Sequence, residues 1–242
     1  VHREQKNAAG FDISALEKII NDIKSSDPNC FVEVLTFEES EKVEGVYFQY
    51  SKMQSVLETF GHMVFVDVTY NVNLEGYHLM TFLVADGDNN GQPVGYAYIS
   101  NESKPVLNLV LEAFIKSLKI SNRKTVDIFM VDKDMKCISS LRQFFPLCQI
   151  LLCYFHVMKH FKEKINRDVT GSLDCKESVL QWIRLVITSG SLEQYQANFE
   201  VLQGISPGKF IDYYRKNWEG GIQQWFILYE RRSLFHIGND TN

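Results

Sequence analysis

"MVFVDVTYNVN", residues 63–73, decides how the rest of the chain is read. Val64, Phe65, Val66 and Val68 are strand formers, and so short an apolar run suits a buried strand. Asp67 interrupts it. A carboxylate in a buried strand costs free energy unless something positive meets it. The segment therefore predicts a strand that carries a functional acid.

The residues after it continue the pattern. "YHLMTFLVA" (77–85) and "PVGYAYIS" (93–100) are strand-like, with turns around Glu75-Gly76 and at "DGDNNGQ" (86–92). Three strands joined by short turns predict an antiparallel meander. "PVLNLVLEAFIKSLK" (105–119) is a helix with Pro105 at its start. "TVDIFMVD" (125–132) is a fourth strand, and "DMKCISSLRQFF" (134–145) is a helix stopped by Pro146. "QILLCYF" (149–155) is a fifth strand running into the helix "HVMKHFKEKIN" (156–166). The order βββαβαβα predicts an α/β fold, a mixed five-stranded sheet with helices on both faces.

Upstream, Ile13, Leu16, Ile19, Ile20 and Ile23 share one helical face, and Pro28 stops that helix. "FVEVLTF" and "GVYFQYS" read as a hairpin, and "KMQSVLETFG" as a helix with Gly61 as its C′ residue. After Val169 the strand signal ends. "ESVLQWIRLVIT", "SLEQYQANFEVLQ", "GKFIDYYRKNW" and "IQQWFILYERRSLF" all have helical spacing. Three parts are expected: an N-terminal helix, hairpin and helix (1–60), a core domain (61–168) and a helical region (169–242).

Composition narrows the class. Apolar residues make up 45% of 242, with 17 Phe and 11 Tyr, enough for a real core. The net charge of −5 argues against strong non-specific nucleic-acid binding, since such proteins are usually basic. Five scattered cysteines do not form a disulfide framework and point to a reducing compartment. No apolar run of membrane-spanning length is present. The chain reads as a fragment of something longer.

If the first strand lies beside the fourth, Asp67 and Asp132 come side by side. Two such carboxylates repel, and a divalent cation relieves the conflict. Mg²⁺ takes oxygen ligands and typically one or two protein carboxylates. The plainer readings stand beside this one: Asp134 as the N-cap of the next helix, and Asp132 as a loop-facing turn residue.

Other groups have plainer readings too. Cys153 and His156 form C-x-x-H, with His160 one turn on, but a structural zinc needs four ligands and no second Cys pair is near. Cys153 is read as a core thiol and His156 as a side chain that orients the site. "DGDNNG" opens like a calcium loop, yet Ala97 stands where its twelfth-position Glu belongs, so it is a hairpin turn. Lys159, Lys162, Lys164 and Arg167, and Arg231-Arg232, are either a solvated face or phosphate contacts. Trp182, Trp218 and Trp225 are read as core, with base stacking as the alternative.

"FVDVTYNVN", "FMVDKDMKCISSLRQFFP" and "ILLCYFHVMKHF" together resemble, in order and spacing, three motifs of Mutator-like element (MULE) transposases. The likeness covers roughly residues 60–165. The chain is similar, more closely, to the RNase H-like domain of zinc finger SWIM-type proteins, domesticated relatives of those transposases. This resemblance implies an RNase H-like fold and a D-D-E site for Mg²⁺ or Mn²⁺. Asp67 and Asp132 match its first two acids. "GNDTN" (238–242) is similar to the stretch before the third, a Glu expected beyond Asn242; Glu219 and Glu230 are not matched to it. His156 and Lys159 would orient the site or lie near DNA, and zinc would sit only in a SWIM finger outside this chain. The implied protein is nuclear, binds DNA weakly through this segment, takes protein partners, and leaves a homodimer open.

Two functions follow from this reading. One is a domesticated, non-catalytic DNA- or partner-binding module, favoured by the acidic charge. The other is a metal-dependent transposase or nuclease core, favoured by the presence of both aspartates. No G-x-S-x-G nucleophile elbow supports a hydrolase of the α/β type.

Overall fold

The computed structural model describes residues 13–38, 42–70, 76–118 and 126–219. Helix α1 (Ile13–Ser26) leads into the hairpin of β1 (Phe31–Thr36) and β2 (Val43–Gln49), then α2 (Ser51–Phe60). The meander is β3 (Met63–Thr69), β4 (His78–Ala85) and β5 (Gly91–Ile99). It is followed by α3 (Lys104–Ser117), β6 (Ile128–Val131), α4 (Met135–Phe144), β7 (Gln149–Leu152) and α5 (Tyr154–Asp168). Helices α6 (Leu173–Ile187), α7 (Leu192–Ile205) and α8 (Gly208–Tyr214) end in a π-helical turn, Arg215–Glu219.

The sheet order is β1-β2-β5-β4-β3-β6-β7. The five strands from 63 onward are those the sequence predicts, in a mixed α/β, RNase H-like arrangement. The sheet nevertheless has seven strands. The hairpin does not pack as a separate element, because β2 pairs antiparallel with β5, Val46 opposite Tyr98 and Tyr47 opposite Ala97. The meander leaves one edge of β5 open, and an open edge of unpaired N–H and C=O groups recruits a strand.

Local chemistry sets several boundaries. The Asp134 side chain caps α4 by accepting the Lys136 N–H at 2.8 Å, as the sequence suggests. Ser172 and Ser191 cap α6 and α7 in the same way. Tyr50 supplies no side-chain cap to α2. The Asp27 carboxylate does so from the preceding turn, accepting the Ser51 N–H at 2.7 Å. Gly61 follows α2 but at φ −75°, not in the left-handed conformation expected of a C′ glycine. It is a glycine for room: a Cβ there would lie 2.3 Å from the Leu57 carbonyl oxygen. "DGDNNG" is a hairpin turn, with Asp86 accepting the N–H groups of Asp88 and Asn90.

The chain divides into two compact units, 1–149 and 150–242. The three-part division at 60 and 168 follows element type, whereas the contacts divide at the start of β7. In the first unit, Tyr47, Phe82, Phe114, Phe129 and Phe145 form a ladder of rings, Phe82 and Phe114 stacked with centroids 4.6 Å apart. In the second, Phe161 packs against Phe210, Tyr214 and Trp218. Trp218 is thus core, as expected, and Trp182 is half-buried. Trp225, Glu230, Arg231-Arg232, "IQQWFILYERRSLF" and "GNDTN" lie outside the described residues. Among those described, no helix is long and apolar enough to cross a membrane.

Candidate functional site

Strands β3 and β6 run parallel, with Phe65 opposite Met130 and Val66 opposite Val131. Continuing that register by one residue sets Asp67 beside Asp132. Side chains alternate across a sheet, so Phe65 and Asp67 share one face, and Met130 and Asp132 share it too. Both acids stand at the carboxyl ends of their strands, and their oxygen atoms lie within 4.8 Å. Asp67 is half-buried and Asp132 exposed. Strand β4 holds Asp67 from the other side, opposite Thr81. This answers where a charge inside an apolar strand can sit: just past the buried run Met63–Val66, on the face shared with a second acid.

The residue next to Asp132 is exposed overall, with its ammonium partly shielded. Lys133 is held below the usual lysine range by loss of water around its ammonium.

A group that sequence reasoning missed adjoins the pair. The His78 Nδ1 and Glu102 Oε1 atoms are 2.8 Å apart, both side chains largely shielded. The Tyr70 hydroxyl donates to Glu102 Oε2 at 3.4 Å, and its ring stands edge-on to His78 at 4.9 Å. Burial raises the Tyr70 pKa first, and Glu102, Asp134 and Asp132 add to it. Burial, then the charges of Asp134, Glu102 and Asp132, push Cys137 up to about 12. The carboxyl edge of β3 and β6 is therefore a negative field with four named acids. No spacing in the sequence signals Glu102, since its partners are 24 and 32 residues away.

In the second unit, His156 lies in the first turn of α5, half-buried and edge-on to Phe155, and Lys159 is exposed one turn later. Cys153 is buried at the N-cap position of α5. The Tyr213 hydroxyl accepts the Trp218 indole N–H at 3.1 Å and is also hydrogen-bonded to His160 Nε2. No group of three or more metal-ligand side chains among the described residues includes Cys153 or His160. Lys164 is engaged with Asp168 at 2.6 Å and sits over the Tyr213 ring, whereas Arg167 stays 71% exposed beside Asp168. Glu219 ends the π-helical turn.

A sheet in which an antiparallel meander precedes β-α-β-α units, with paired acids at the ends of its central parallel strands, is the RNase H-like class. The family model for the RNase H-like domain of zinc finger SWIM domain-containing protein 1/3 matches residues 21–151, more than half of the chain, and the chain belongs to that family. The uncharacterized protein ZSWIM9 of Homo sapiens is similar, 21% identical over 210 residues. That match takes in 86% of this chain, which spans 33% of the length of its relative.

Proposed function

We propose that this chain is a nucleic-acid-binding module of a nuclear SWIM zinc-finger protein, a domesticated transposase core that binds DNA or DNA-bound partners without cutting DNA by itself. The observation that carries the reading is the Asp67–Asp132 pair on adjacent parallel strands, with oxygens within 4.8 Å. Two carboxylates that close are a hard-oxygen donor set, and one Mg²⁺ or Mn²⁺ with its waters fits it. Asp67 and Asp132 would hold that ion. When bound, it supplies positive charge for a phosphate in a region that is otherwise negative. The protein's own part is to hold Asp67 within β3, to present Asp132 directly after β6, and to leave Asp132 open to solvent.

The second reading, an active metal-dependent DNA transposase or nuclease, is favoured by the same pair, because both acids of the implied D-D-E set are present. Two-metal chemistry is better served by more carboxylates than these two.

One experiment separates the two. The chain is incubated with labelled DNA and Mn²⁺, and binding and cleavage are followed together. Mn²⁺-dependent binding without cleavage, weakened in Asp67→Asn and Asp132→Asn, supports the module. Cleavage that both substitutions abolish supports the enzyme. Binding that ignores Mn²⁺ and both substitutions removes the pair from the function.

A further inference from the structure

The two halves of the chain differ in charge. Residues 1–149 carry 14 Lys and Arg against 20 Asp and Glu, and residues 150–242 carry 11 against 10. The negative edge of the first unit repels a phosphate backbone wherever no cation screens it. A polyanion therefore needs a second surface, and the helical unit presents one.

On α5, Phe155, Lys159, Lys162 and Asn166 fall at i, i+4, i+7 and i+11, which aligns them along one side of a helix. All four are exposed, Phe155 by 50%. Lys176 of α6 joins the far end, where its ammonium donates to the Asn166 carbonyl at 3.0 Å. Arg167 lies beside it, directed in part at Asp168. Eleven residues at 1.5 Å each make the track about 16 Å long. An exposed aromatic at one end is followed by lysines and then by a further lysine and an arginine. Between Phe155 and Arg167, Glu163 is the one exposed acid, and Asp174 and Glu177 are exposed beside Lys176.

We propose that this face of α5 is a docking track for single-stranded nucleic acid, with one base stacked on Phe155 and the backbone running over Lys159, Lys162 and Lys176. Charge complementarity selects a polyanion. The aromatic selects one with unstacked bases, because a base can lie on a ring only when its own neighbour has left it. The proposal rests on the nucleic-acid reading above but uses none of the residues that hold the cation. Glu163 weakens the track from within, which gives the proposal a sign that a merely solvated face would not show.

The test is fluorescence polarisation of a labelled 12-nucleotide single strand and its duplex, in Mn²⁺, across a salt series. The Lys159→Glu/Lys162→Glu double variant should lose at least tenfold in affinity, and the slope of log affinity against log salt should fall by about 1.4. Phe155→Ala should lose about fivefold or more on the single strand and little on the duplex, with Phe155→Trp retaining binding. Glu163→Gln should bind more tightly than wild type. These side chains are exposed, so melting curves should match wild type and separate lost binding from lost folding. If wild type binds and these variants bind equally well, the track is wrong while the nucleic-acid reading stands. If wild type binds neither strand form, both fall.

Discussion

Asp67 and Asp132 stand one step beyond Val66 and Val131, the last pair in the ladder between two parallel strands. Asp67 is held within β3 and Asp132 is the first residue after β6, so their proximity follows from the register of the two strands that lead to them. Without a divalent ion the two charges oppose one another. Asp67→Asn or Asp132→Asn should then leave stability unchanged or raise it by up to about 1 kcal/mol, the size of a solvent-exposed pair. Adding Mn²⁺ should reverse the ranking. Wild type should gain about 2.7 kcal/mol at a hundred times Kd, and the variants should gain much less. Thermal melts in EDTA and in Mn²⁺ check this. Equal shifts in all three proteins would sink it.

Asp27 ties the turn after α1 to the start of α2. The Ser51 N–H bond is the chief reason its carboxyl lies below its ordinary 3.8. A group with a depressed folded pKa stabilises above its unfolded value, and that stability is lost as pH falls through the folded one. The cap should therefore be fully present at pH 7 and fade below about pH 4. Asp27→Ala should lower Tm at pH 7, and the gap from wild type should narrow as pH falls below about 4. A gap independent of pH would mean that Asp27 acts through packing.

Much of this was legible in the sequence, and the illegible parts share a cause. Short apolar runs bounded by turn signals marked β3 to β7, and the aspartate inside β3 marked the candidate site. Asp134 could be read as a cap because its partner is two residues away. The hairpin's place in the sheet could not be read, since Val46 meets Tyr98 across 52 positions and only the open edge of β5 decides it. His78–Glu102 was hidden for the same reason. Nor does any residue pattern in "RKNWE" announce a π-helical turn; Trp218 settles there against Phe161.

Two glycines should respond oppositely to alanine. At Gly61 a Cβ would strike the Leu57 carbonyl oxygen at 2.3 Å and Leu57 Cδ1 at 2.9 Å. Backbone must move, so Gly61→Ala should cost about 1–3 kcal/mol. At Gly204, near the end of α7, a Cβ meets nothing within 4 Å. Gly204→Ala should stabilise by about 0.4–1 kcal/mol, through lost freedom in the unfolded chain. Chemical denaturation of both variants reads the signs directly.

Tyr47 joins the hairpin to the core and carries the last prediction. It is fully buried, its ring packed edge-on against Phe31, Phe82 and Phe114. Ser117 Oγ donates to the Phe114 carbonyl, which leaves its oxygen to accept the Tyr47 hydroxyl at 3.2 Å. Tyr47→Ala should cost about 3–5 kcal/mol as a large cavity, and Tyr47→Phe about 1 kcal/mol for one hydrogen bond. Burial pushes the Tyr47 phenol far above its ordinary 10.0, against the pull of Ser117. A raised folded pKa stabilises fully below the unfolded value and is lost as pH climbs above it. Stability should fall from pH 10 upward, and Tyr47→Phe should flatten part of that limb, with buried Tyr214 contributing the same way. Gly95 sits where a Cβ would meet the Tyr47 hydroxyl at 2.6 Å and its ring carbons at 3.2 Å. Gly95→Ala should therefore be harmful in wild type and less so in the Tyr47→Phe background, where the hydroxyl clash is gone. The double-mutant cycle should show a coupling of at least about 0.5 kcal/mol. Additive costs would mean that β5 shifts to admit the methyl group, and that the hydroxyl does not set the spacing between β2 and β5.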